Sequence, residues 1–124
     1  MQKNNTVRGH DGENRAALFL ENKGMAIIAR NIRSKTGEID LVVQDHDTVV
    51  FVEVKNWSVY EFEDLQYSIN WKKQQRIIET AQNFLAAHHE YATWSSRFDV
   101  IFIGAGTINH IVSAFSDEER YGDN

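Results

Sequence analysis

The segment from Gly37 to Lys55 constrains the fold most, because it contains two short apolar runs separated by a polar turn. The runs are Ile39–Val43 and Val49–Val54, and the tetrapeptide Asp45-His46-Asp47-Thr48 lies between them. Valine- and isoleucine-rich runs on either side of turn-forming residues are typical of a β-hairpin. The segment therefore predicts two adjacent antiparallel strands.

A turn centred between His46 and Asp47 fixes the register of this hairpin. The predicted cross-strand pairs are Leu41 with Val52, Asp40 with Glu53, and Glu38 with Lys55. Because side chains alternate between the two faces of a strand, one face is wholly apolar and is expected to be core. Its members are Ile39, Leu41, Val43, Val50, Val52 and Val54.

The other face gathers three carboxylates and a lysine at one end, namely Glu38, Asp40, Glu53 and Lys55. Directly opposite residues have Cβ atoms about 4.5 to 5.5 Å apart, so like charges repel unless positive charge lies between them. A divalent cation would supply that charge. The alternative is a purely structural ion cluster in which Lys55 pairs with Glu38 and Glu53.

Length and composition predict a single domain, 1–124, with an ordered core at about 9–115 and a disordered tail at 116–124. The chain has no cysteine, which excludes disulfides, thiolate metal sites and a cysteine nucleophile. Met1–His10 is polar and no apolar run is long enough to span a bilayer, so we expect a cytoplasmic protein without membrane contact. The net charge of -5 argues against nonspecific coating of nucleic acid.

A first helix is predicted over Asp11–Asn22, with Ala16, Ala17 and Leu20 on one face and Gly24 as its stop, after a frayed Met1–Gly9. Extending the apolar face back by one turn reaches Glu13. A carboxylate in line with the core stripe points at the sheet, where its burial needs a partner. The alternative is that Glu13 only favours the positive N-terminal end of the helix.

A second, longer helix is predicted over Ser68–Glu90, with Ser68 as its cap. Its apolar residues recur at intervals of three and four, namely Ile77, Ile78, Ala81, Phe84 and Leu85. Lys73 and Gln74 lie one turn before Ile77 and Ile78, which brings them to the helix end near the carboxylates. The alternative is that Lys73 extends into solvent.

Three further strands are predicted at Met25–Asn31, Arg97–Ile103 and Asn109–Phe115, and a basic loop at Ile32–Thr36 has Arg30, Arg33 and Lys35 at its edges. A strand, a long helix and a further strand imply a right-handed parallel crossover. The acidic, aromatic segment Asn56–Tyr67 predicts a loop that is either a lid over the carboxylates or a satellite of the core. The five histidines lie in different elements or point apart, so a zinc site is not expected.

An acid lies on the first predicted helix, another opens the second strand, and Glu-x-Lys closes the third. This order of elements and acidic residues resembles the PD-(D/E)XK nuclease superfamily. The chain resembles more closely the YraN-type family of uncharacterised bacterial proteins, described as predicted endonucleases related to archaeal Holliday junction resolvases. The matching residues are Gly12-Glu13 with Ala16-Ala17 and Leu20, Ala29-Arg30-Asn31, Gly37-Glu38-Ile39-Asp40-Leu41, Phe51-Val52-Glu53-Val54-Lys55, Lys73 with Arg76 and Ala81, and Arg97-Phe98-Asp99-Val100.

The resemblance implies an α/β (α+β) fold with an αβββαβ restriction-endonuclease-like core, in which helices flank a mixed central sheet. It implies that Asp40 and Glu53 bind Mg²⁺ or Mn²⁺, that Lys55 positions or activates water, and that Glu13 assists the metal. The implied substrate contacts are Lys73 or Gln74, together with Arg30 and Arg33. The expected partner is DNA, branched DNA in particular, and a homodimer stays an open alternative.

The chain departs from the family pattern after Glu-x-Lys. Asn56-Trp57 stands where the family usually has a small residue and an arginine, and the following segment is acidic where glycine and basic residues are common. Two functions therefore stay open. One is a Mg²⁺-dependent endonuclease acting on structured DNA, and the other is a nucleic-acid-binding or assembly module that keeps the fold and cuts nothing.

Overall fold

A computed structural model describes residues 2–56 and 69–116, with side chains from residue 11 onward. It contains two helices, α1 (Gln2–Asn22) and α2 (Trp71–Ala87), and a short 3₁₀ turn (His89–Tyr91). Its five strands are β1 (Ala26–Ser34), β2 (Gly37–Asp45), β3 (Thr48–Asn56), β4 (Ser95–Ile103) and β5 (Ile108–Phe115). Most of the predicted lid or satellite loop, and all but the first residue of the predicted tail, lie outside the described residues.

The five strands form one mixed sheet in the order β1-β2-β3-β4-β5. The pair β3–β4 is parallel and the other three pairs are antiparallel. The parallel pair requires a crossover, which α2 provides. The mixed α/β class and the predicted order of elements are therefore confirmed. No helix in the described part of the chain is both long and apolar enough to cross a membrane.

The hairpin between β2 and β3 has the predicted register. Asp45 pairs with Thr48 across a two-residue turn, and the pairing continues to Leu41 with Val52. His46 in the turn has a φ of 55°, as tight hairpin turns require. The register does not continue to the predicted pairs Asp40 with Glu53 and Glu38 with Lys55, because the pairing of β2 with β3 ends at Leu41 and Val52. On the other edge of β2, Glu38 pairs with Arg33 of β1.

Each face of the sheet is covered by one helix. On the α1 side, Ala16, Ala17 and Leu20 pack against sheet residues that include Leu41, Val43, Val50 and Val52. On the α2 side, Ile77, Ile78, Ala81 and Phe84 pack against residues that include Val42, Val49, Phe51 and Phe98. Burying one such side chain fully contributes about 1.5 to 3 kcal/mol. The prediction for Ile39 is wrong, because this side chain packs on the α2 side instead of joining Leu41.

The boundaries of α1 differ from the prediction at one end only. The helix begins at Gln2 instead of Asp11, because an apolar repeat cannot reveal helical turns made of polar residues. The predicted stop at Gly24 is confirmed by its φ of 94°. The N–H of Gly24 donates to the carbonyl of Glu21 at 2.9 Å, and that of Met25 to Leu20 at 3.1 Å. Glycine is the usual residue at this position.

The predicted start of α2 is wrong, because the helix begins at Trp71 and its cap is Asn70 instead of Ser68. The Asn70 side chain accepts the backbone N–H of Lys73 at 2.9 Å, which satisfies one of the unpaired donors of the first turn. The helix ends at Ala87, before the predicted Glu90. The cap fixes the first turn of α2, on which Lys73 lies.

The predicted basic loop at Ile32–Thr36 is also corrected, because β1 continues to Ser34 and leaves a short turn. Thr80 of α2 is 1% exposed. Its hydroxyl lies 2.8 Å from that of Thr36 and 3.3 Å from that of Ser34. A Cβ added to Gly37, whose φ is 152°, would lie 3.3 Å from the Cβ of Arg76. The β1–β2 turn therefore packs closely against α2 and is linked to it by these hydroxyl contacts.

Candidate functional site

Asp40 lies where β2 separates from β3. Its Oδ2 accepts the backbone N–H of Val54 at 2.8 Å, although a regular antiparallel ladder would use a backbone carbonyl as the acceptor. The last regular pair before this point is Leu41 with Val52. A carboxylate side chain therefore replaces a backbone partner between the two strands.

Glu53 of β3 is the second carboxylate of the site and is 9% exposed. A side-chain hydrogen bond joins it to Asp40. Burial, and then the hydrogen bond and electrostatic repulsion from Asp40, raise the pKa of Glu53 from its ordinary 4.5 to about 8. Two carboxylates this close resist being ionised together. The pair therefore favours any positive charge that reaches it.

Two lysines provide positive charge to this pair. Lys73 Nζ lies 3.6 Å from Glu53 Oε2, and the Lys73 side chain is 40% exposed. Its amino group is also in hydrogen-bonding contact with that of Lys55. The predicted approach of α2 to the carboxylates is therefore observed, with Lys73 as the residue that makes the contact.

The two lysines respond differently to this environment. Burial, followed by contact with the Lys73 ammonium group, lowers the pKa of Lys55 despite the attraction of Glu53 and Asp40. Burial also opposes the charge on Lys73, but its contacts with Lys55 and the carboxylates outweigh burial and raise the pKa of Lys73. Lys55 is thus the lysine inclined to lose its proton, and Lys73 is the lysine that keeps its charge.

The chemistry of Asp40 and Glu53 fits a hard divalent cation, since Mg²⁺ and Mn²⁺ prefer carboxylate oxygens. Among the described residues, no three aspartate, glutamate or histidine side chains are grouped so as to hold an ion. An ion here would take two carboxylates from the protein. Its other positions would go to water and to substrate oxygens, as is usual for Mg²⁺.

Three of the predicted site residues, Gln74, Arg30 and Arg33, make their described contacts outside this cluster. Glu13 is partly buried on α1 and forms no three-acid group with Asp40 and Glu53. The Gln74 amide donates to the Ile69 carbonyl at 3.1 Å. Arg30 Nη1 donates to Asn14 Oδ1 at 2.7 Å, and Arg33 Nε lies 3.2 Å from Glu38 Oε2. Their predicted roles stay predictions.

The residue-level predictions missed a second polar network, centred on Asp99 of β4, whose side chain is fully buried. Arg97 Nε donates to Asp99 Oδ1 at 3.1 Å, and Arg97 Nη1 donates to Asp45 Oδ2 at 2.9 Å. The backbone N–H of Ser113 donates to Asp99 Oδ1 at 2.9 Å. The one signal in the sequence is the spacing of Arg97 and Asp99, which puts two charged residues on the same face of an apolar strand.

His110 of β5 completes this network. Its Nε2 lies 2.8 Å from Asp99 Oδ2, and its Nδ1 lies 3.1 Å from Lys23 Nζ. Because an ammonium group only donates, Nδ1 accepts from Lys23 and Nε2 carries the proton that is donated to Asp99. The network thus joins the end of α1 to β4 and β5.

The net effect of these contacts is to keep Asp99 and Arg97 charged. Burial works to raise the pKa of Asp99, but hydrogen bonds from His110, Arg97 and the Ser113 backbone outweigh burial and lower that pKa below its ordinary 3.8. Burial likewise works against the charge on Arg97, but hydrogen bonds to Asp99 and Asp45 raise the pKa of Arg97. The network is internally compensated, in contrast to the Asp40–Glu53 pair.

Comparison with known proteins gives a consistent family match. Residues 12–103 match the model of a group described as "Uncharacterised protein family UPF0102". A UPF0102 protein of Treponema pallidum (strain Nichols) is 43% identical over 124 residues, covering 94% of this chain and 98% of the relative. A UPF0102 protein of Rhodopseudomonas palustris (strain BisB18) is 41% identical, and the match covers 86% of this chain and 78% of the relative. One of Persephonella marina (strain DSM 14350 / EX-H1) is 38% identical, and the match covers 88% of this chain and 93% of the relative. The matched region runs from α1 to the end of β4 and includes the carboxylate pair.

Proposed function

This chain belongs to the uncharacterised protein family UPF0102, and we propose that it is a Mg²⁺- or Mn²⁺-dependent endonuclease that hydrolyses phosphodiester bonds in structured or branched DNA. Membership confirms the family that the sequence motifs predicted, while the PD-(D/E)XK placement belongs to this proposal. The observation that carries it is the contact between the Asp40 carboxylate and the buried Glu53, with two lysines beside them.

The carboxylate pair is the metal-binding part of the proposal. Bound there, the cation would stabilise the charge that develops on a phosphate oxygen during in-line attack. Asp40 is held by the Val54 N–H and Glu53 by its burial in β3. Both ligands are thus fixed before a metal arrives, which reduces the entropy that binding would cost.

The two lysines divide the remaining tasks. The lowered pKa of Lys55, which follows first from burial, makes this residue the candidate to take a proton from the attacking water. Lys73 keeps its charge and its side chain is partly exposed, so it is the candidate to contact the phosphate. Lys73 would then exchange its ion pair with Glu53 for one with the substrate.

Exposed basic residues beside the site support DNA as the substrate. Lys72 and Arg76 are exposed on α2, and Lys35 is exposed on the turn that packs against α2. Phosphate contacts of this kind provide most of the affinity of proteins for DNA. The overall charge of -5 does not oppose local binding, because exposed charges beyond about 10 Å are screened at 0.1 M salt.

One observation favours the second function, a nucleic-acid-binding or assembly module without catalysis. Lys73 already forms an ion pair with Glu53, so part of the negative charge is compensated by the protein itself. A module of this kind would bind branched DNA through the basic residues of α2 and would not need a cation.

The decisive experiment separates metal binding, DNA binding and cleavage. Purified wild type, Glu53→Ala, Lys55→Ala and Lys55→Arg would be given labelled four-way junctions, flaps, duplex and single strands, with Mg²⁺ or Mn²⁺ at low salt. We expect the wild type to cleave a branched substrate. Lys55→Ala should keep the metal-induced rise in Tm and lose about a hundredfold in cleavage rate. Glu53→Ala should lose both.

Two further variants sharpen the interpretation. Lys55→Arg keeps the positive charge but does not give up its proton, so its loss of cleavage would identify proton transfer as the role of Lys55. Glu21→Ala removes an exposed carboxylate of α1 and should behave as wild type. If the wild type binds branched DNA and cleaves nothing with either metal, the binding module replaces the nuclease. Cleavage that persists undiminished in both Glu53→Ala and Lys55→Ala would come from a contaminating enzyme.

A further inference from the structure

Asn31 adopts a backbone conformation that is unusual inside a strand. It lies within β1, far from either end of that strand, and has a φ of 52°. L-residues rarely adopt this left-handed region, and asparagine and glycine tolerate it best. The residue also belongs to the Ala29-Arg30-Asn31 motif. The carboxylate pair and the two lysines do not explain why asparagine stands at this position.

The register places Asn31 opposite Asp40. On β1 and β2 the neighbouring pairs are Arg30 with Leu41 and Ile32 with Ile39, and Asn31 and Asp40 lie between them. The register is the same on both sides of them, and the register shift of this strand pair lies elsewhere, between Ile27 and Ala29. The left-handed residue and the proposed metal ligand are therefore at the same level of the sheet.

Both strands also lose one step of side-chain alternation at this level. In β1, Ala29 and Ile32 contact the same core cluster on the α2 side. In β2, Ile39 and Val42 likewise belong to that cluster, whereas Leu41 belongs to the cluster on the α1 side. Residues three apart cannot share a face in a regular strand. Because the register is unchanged across this level, the lost step belongs to Asn31 and Asp40 themselves and not to the register shift at Ile27 and Ala29. It turns their side chains away from the regular alternation.

The redirected side chain is that of Asp40. Its carboxylate accepts the Val54 N–H across the gap between β2 and β3 and contacts Glu53. If β1 and β2 kept regular alternation, the pairing of β2 with β3 would continue past Leu41 and a backbone carbonyl would take the Val54 N–H. The distortion at Asn31 and the position of Asp40 thus belong to one local structure.

We infer that Asn31 is a positioning residue for Asp40, because its left-handed backbone breaks the alternation of β1 and β2 and directs the Asp40 carboxylate to Glu53 and to the Val54 N–H. The role belongs to the backbone conformation of Asn31 and does not require its amide group. The inference rests on the proposed function only in that Asp40 is taken as a metal ligand.

Amide hydrogen exchange of Val54 tests the positioning directly and needs no metal. Asn31→Ala makes the left-handed conformation costly, while Asn31→Gly keeps it accessible. We expect Val54 to exchange about tenfold faster in Asn31→Ala than in wild type, which is the scale of the left-handed penalty for an L-residue. Asn31→Gly should retain the slow exchange of the Val54 amide. Asp40→Ala removes the acceptor of that amide and should give the exchange rate that corresponds to complete loss of protection.

A matched control separates positioning from general loss of stability. His46 has almost the same φ, 55°, in the hairpin turn at the other end of β2. His46→Ala therefore imposes a similar backbone cost away from Asp40, and it should leave Val54 exchange and Mn²⁺ affinity near the wild-type values once stability is matched with mild denaturant. Asn31→Ala should lower Mn²⁺ affinity under the same conditions, measured by isothermal titration.

Three results would overturn the inference. Unchanged Val54 exchange in Asn31→Ala would remove the link to Asp40. Equal acceleration in Asn31→Gly would assign the effect to the amide side chain, and equal acceleration in His46→Ala would assign it to stability alone. A wild type that protects Val54 but binds no Mn²⁺ would reject the metal site of the proposed function, while the exchange data would still decide the role of Asn31.

Discussion

Glu53 and Lys73 form an ion pair of 3.6 Å between the buried end of a central strand and the exposed start of a helix. The carboxylate cannot reach solvent easily, whereas the ammonium group can. A divalent cation that binds Glu53 must therefore compete with Lys73, and Lys73 is the partner that can leave. This relationship makes the charge balance of the site adjustable.

The competition predicts that Lys73→Gln binds Mn²⁺ more tightly than wild type when DNA is absent. We expect a gain of about fivefold, which corresponds to the roughly 1 kcal/mol of a partly exposed ion pair. Isothermal titration at pH 9 checks this, since Glu53 is then largely free of its proton. Lys72→Gln removes a neighbouring exposed charge and should show no such gain. Weaker Mn²⁺ binding in Lys73→Gln would mean that Lys73 holds Glu53 in place instead of competing for it.

The raised pKa of Glu53 predicts how stability depends on pH in metal-free protein. Between its ordinary value of 4.5 and about 8, the folded protein retains a proton that the unfolded chain has released. Stability therefore falls as pH rises through this window, by at most about 5 kcal/mol. Urea unfolding in EDTA at pH 5 and pH 8 measures the decrease.

Glu53→Gln should remove most of this decrease, because its amide does not titrate. The exposed Glu79→Gln on α2 is the matched control and should retain it. Millimolar Mg²⁺ should restore stability at pH 8 in wild type and not in Glu53→Gln. A pH dependence that is the same in all three proteins would show that Glu53 ionises normally in the fold.

Asp99 should contribute to stability with the opposite sign. Its pKa is lowered, chiefly by hydrogen bonds that overcome burial, so its contribution is present above pH 3.8 and is lost as pH falls through the folded-state pKa. Asp99→Asn leaves Arg97 without its buried partner and should cost about 3 kcal/mol at pH 7. Urea unfolding measures this, with the exposed Asp47→Asn as control. Equal stability of the two variants would contradict a structural role for the network.

Thr80 should affect DNA binding without affecting metal binding. Thr80→Val keeps the shape of the side chain but removes the hydroxyl contacts with Ser34 and Thr36, which should cost about 1 kcal/mol of stability. The turn that carries Lys35 would then be held less firmly, and affinity for branched DNA should fall. Fluorescence anisotropy and Mn²⁺ titration provide the two measurements. Thr48→Val, at the start of β3 beside the other turn, is the control. A fall in Mn²⁺ affinity in Thr80→Val would argue against this division of roles.

The turn residues between β2 and β3 were sufficient to predict the register of the hairpin, because a two-residue turn leaves one choice of pairing. Helical spacing from Ile77 and Ile78 was likewise sufficient to bring Lys73 to Glu53. Both predictions use a period that the backbone imposes, so they need no tertiary information.

The missed features do not follow a period. The faces on which Ile39 and Glu38 lie were predicted from strict alternation along the strand. Alternation fails at the level of Asn31, and the left-handed backbone of Asn31 leaves no sign in the apolar pattern of the sequence. The Asp99 network draws its partners from Lys23, directly after α1, and from β2, β4 and β5, and these meet only after the sheet has formed. The cap at Asn70 was missed because Ser68, two residues earlier, is also a residue type that commonly caps helices.

The two halves of the site differ in how far they are free to move. β3 pairs with β4 along its whole length and has a helix against each face, and segments with this environment typically open only when the whole domain unfolds. The backbone positions of Glu53 and Lys55 are therefore fixed on any timescale shorter than unfolding. Lys73 lies on the first turn of a helix and reorients by side-chain rotation, which takes nanoseconds or less at exposed positions. Adjustment to substrates of different shape thus falls to Lys73 and the start of α2.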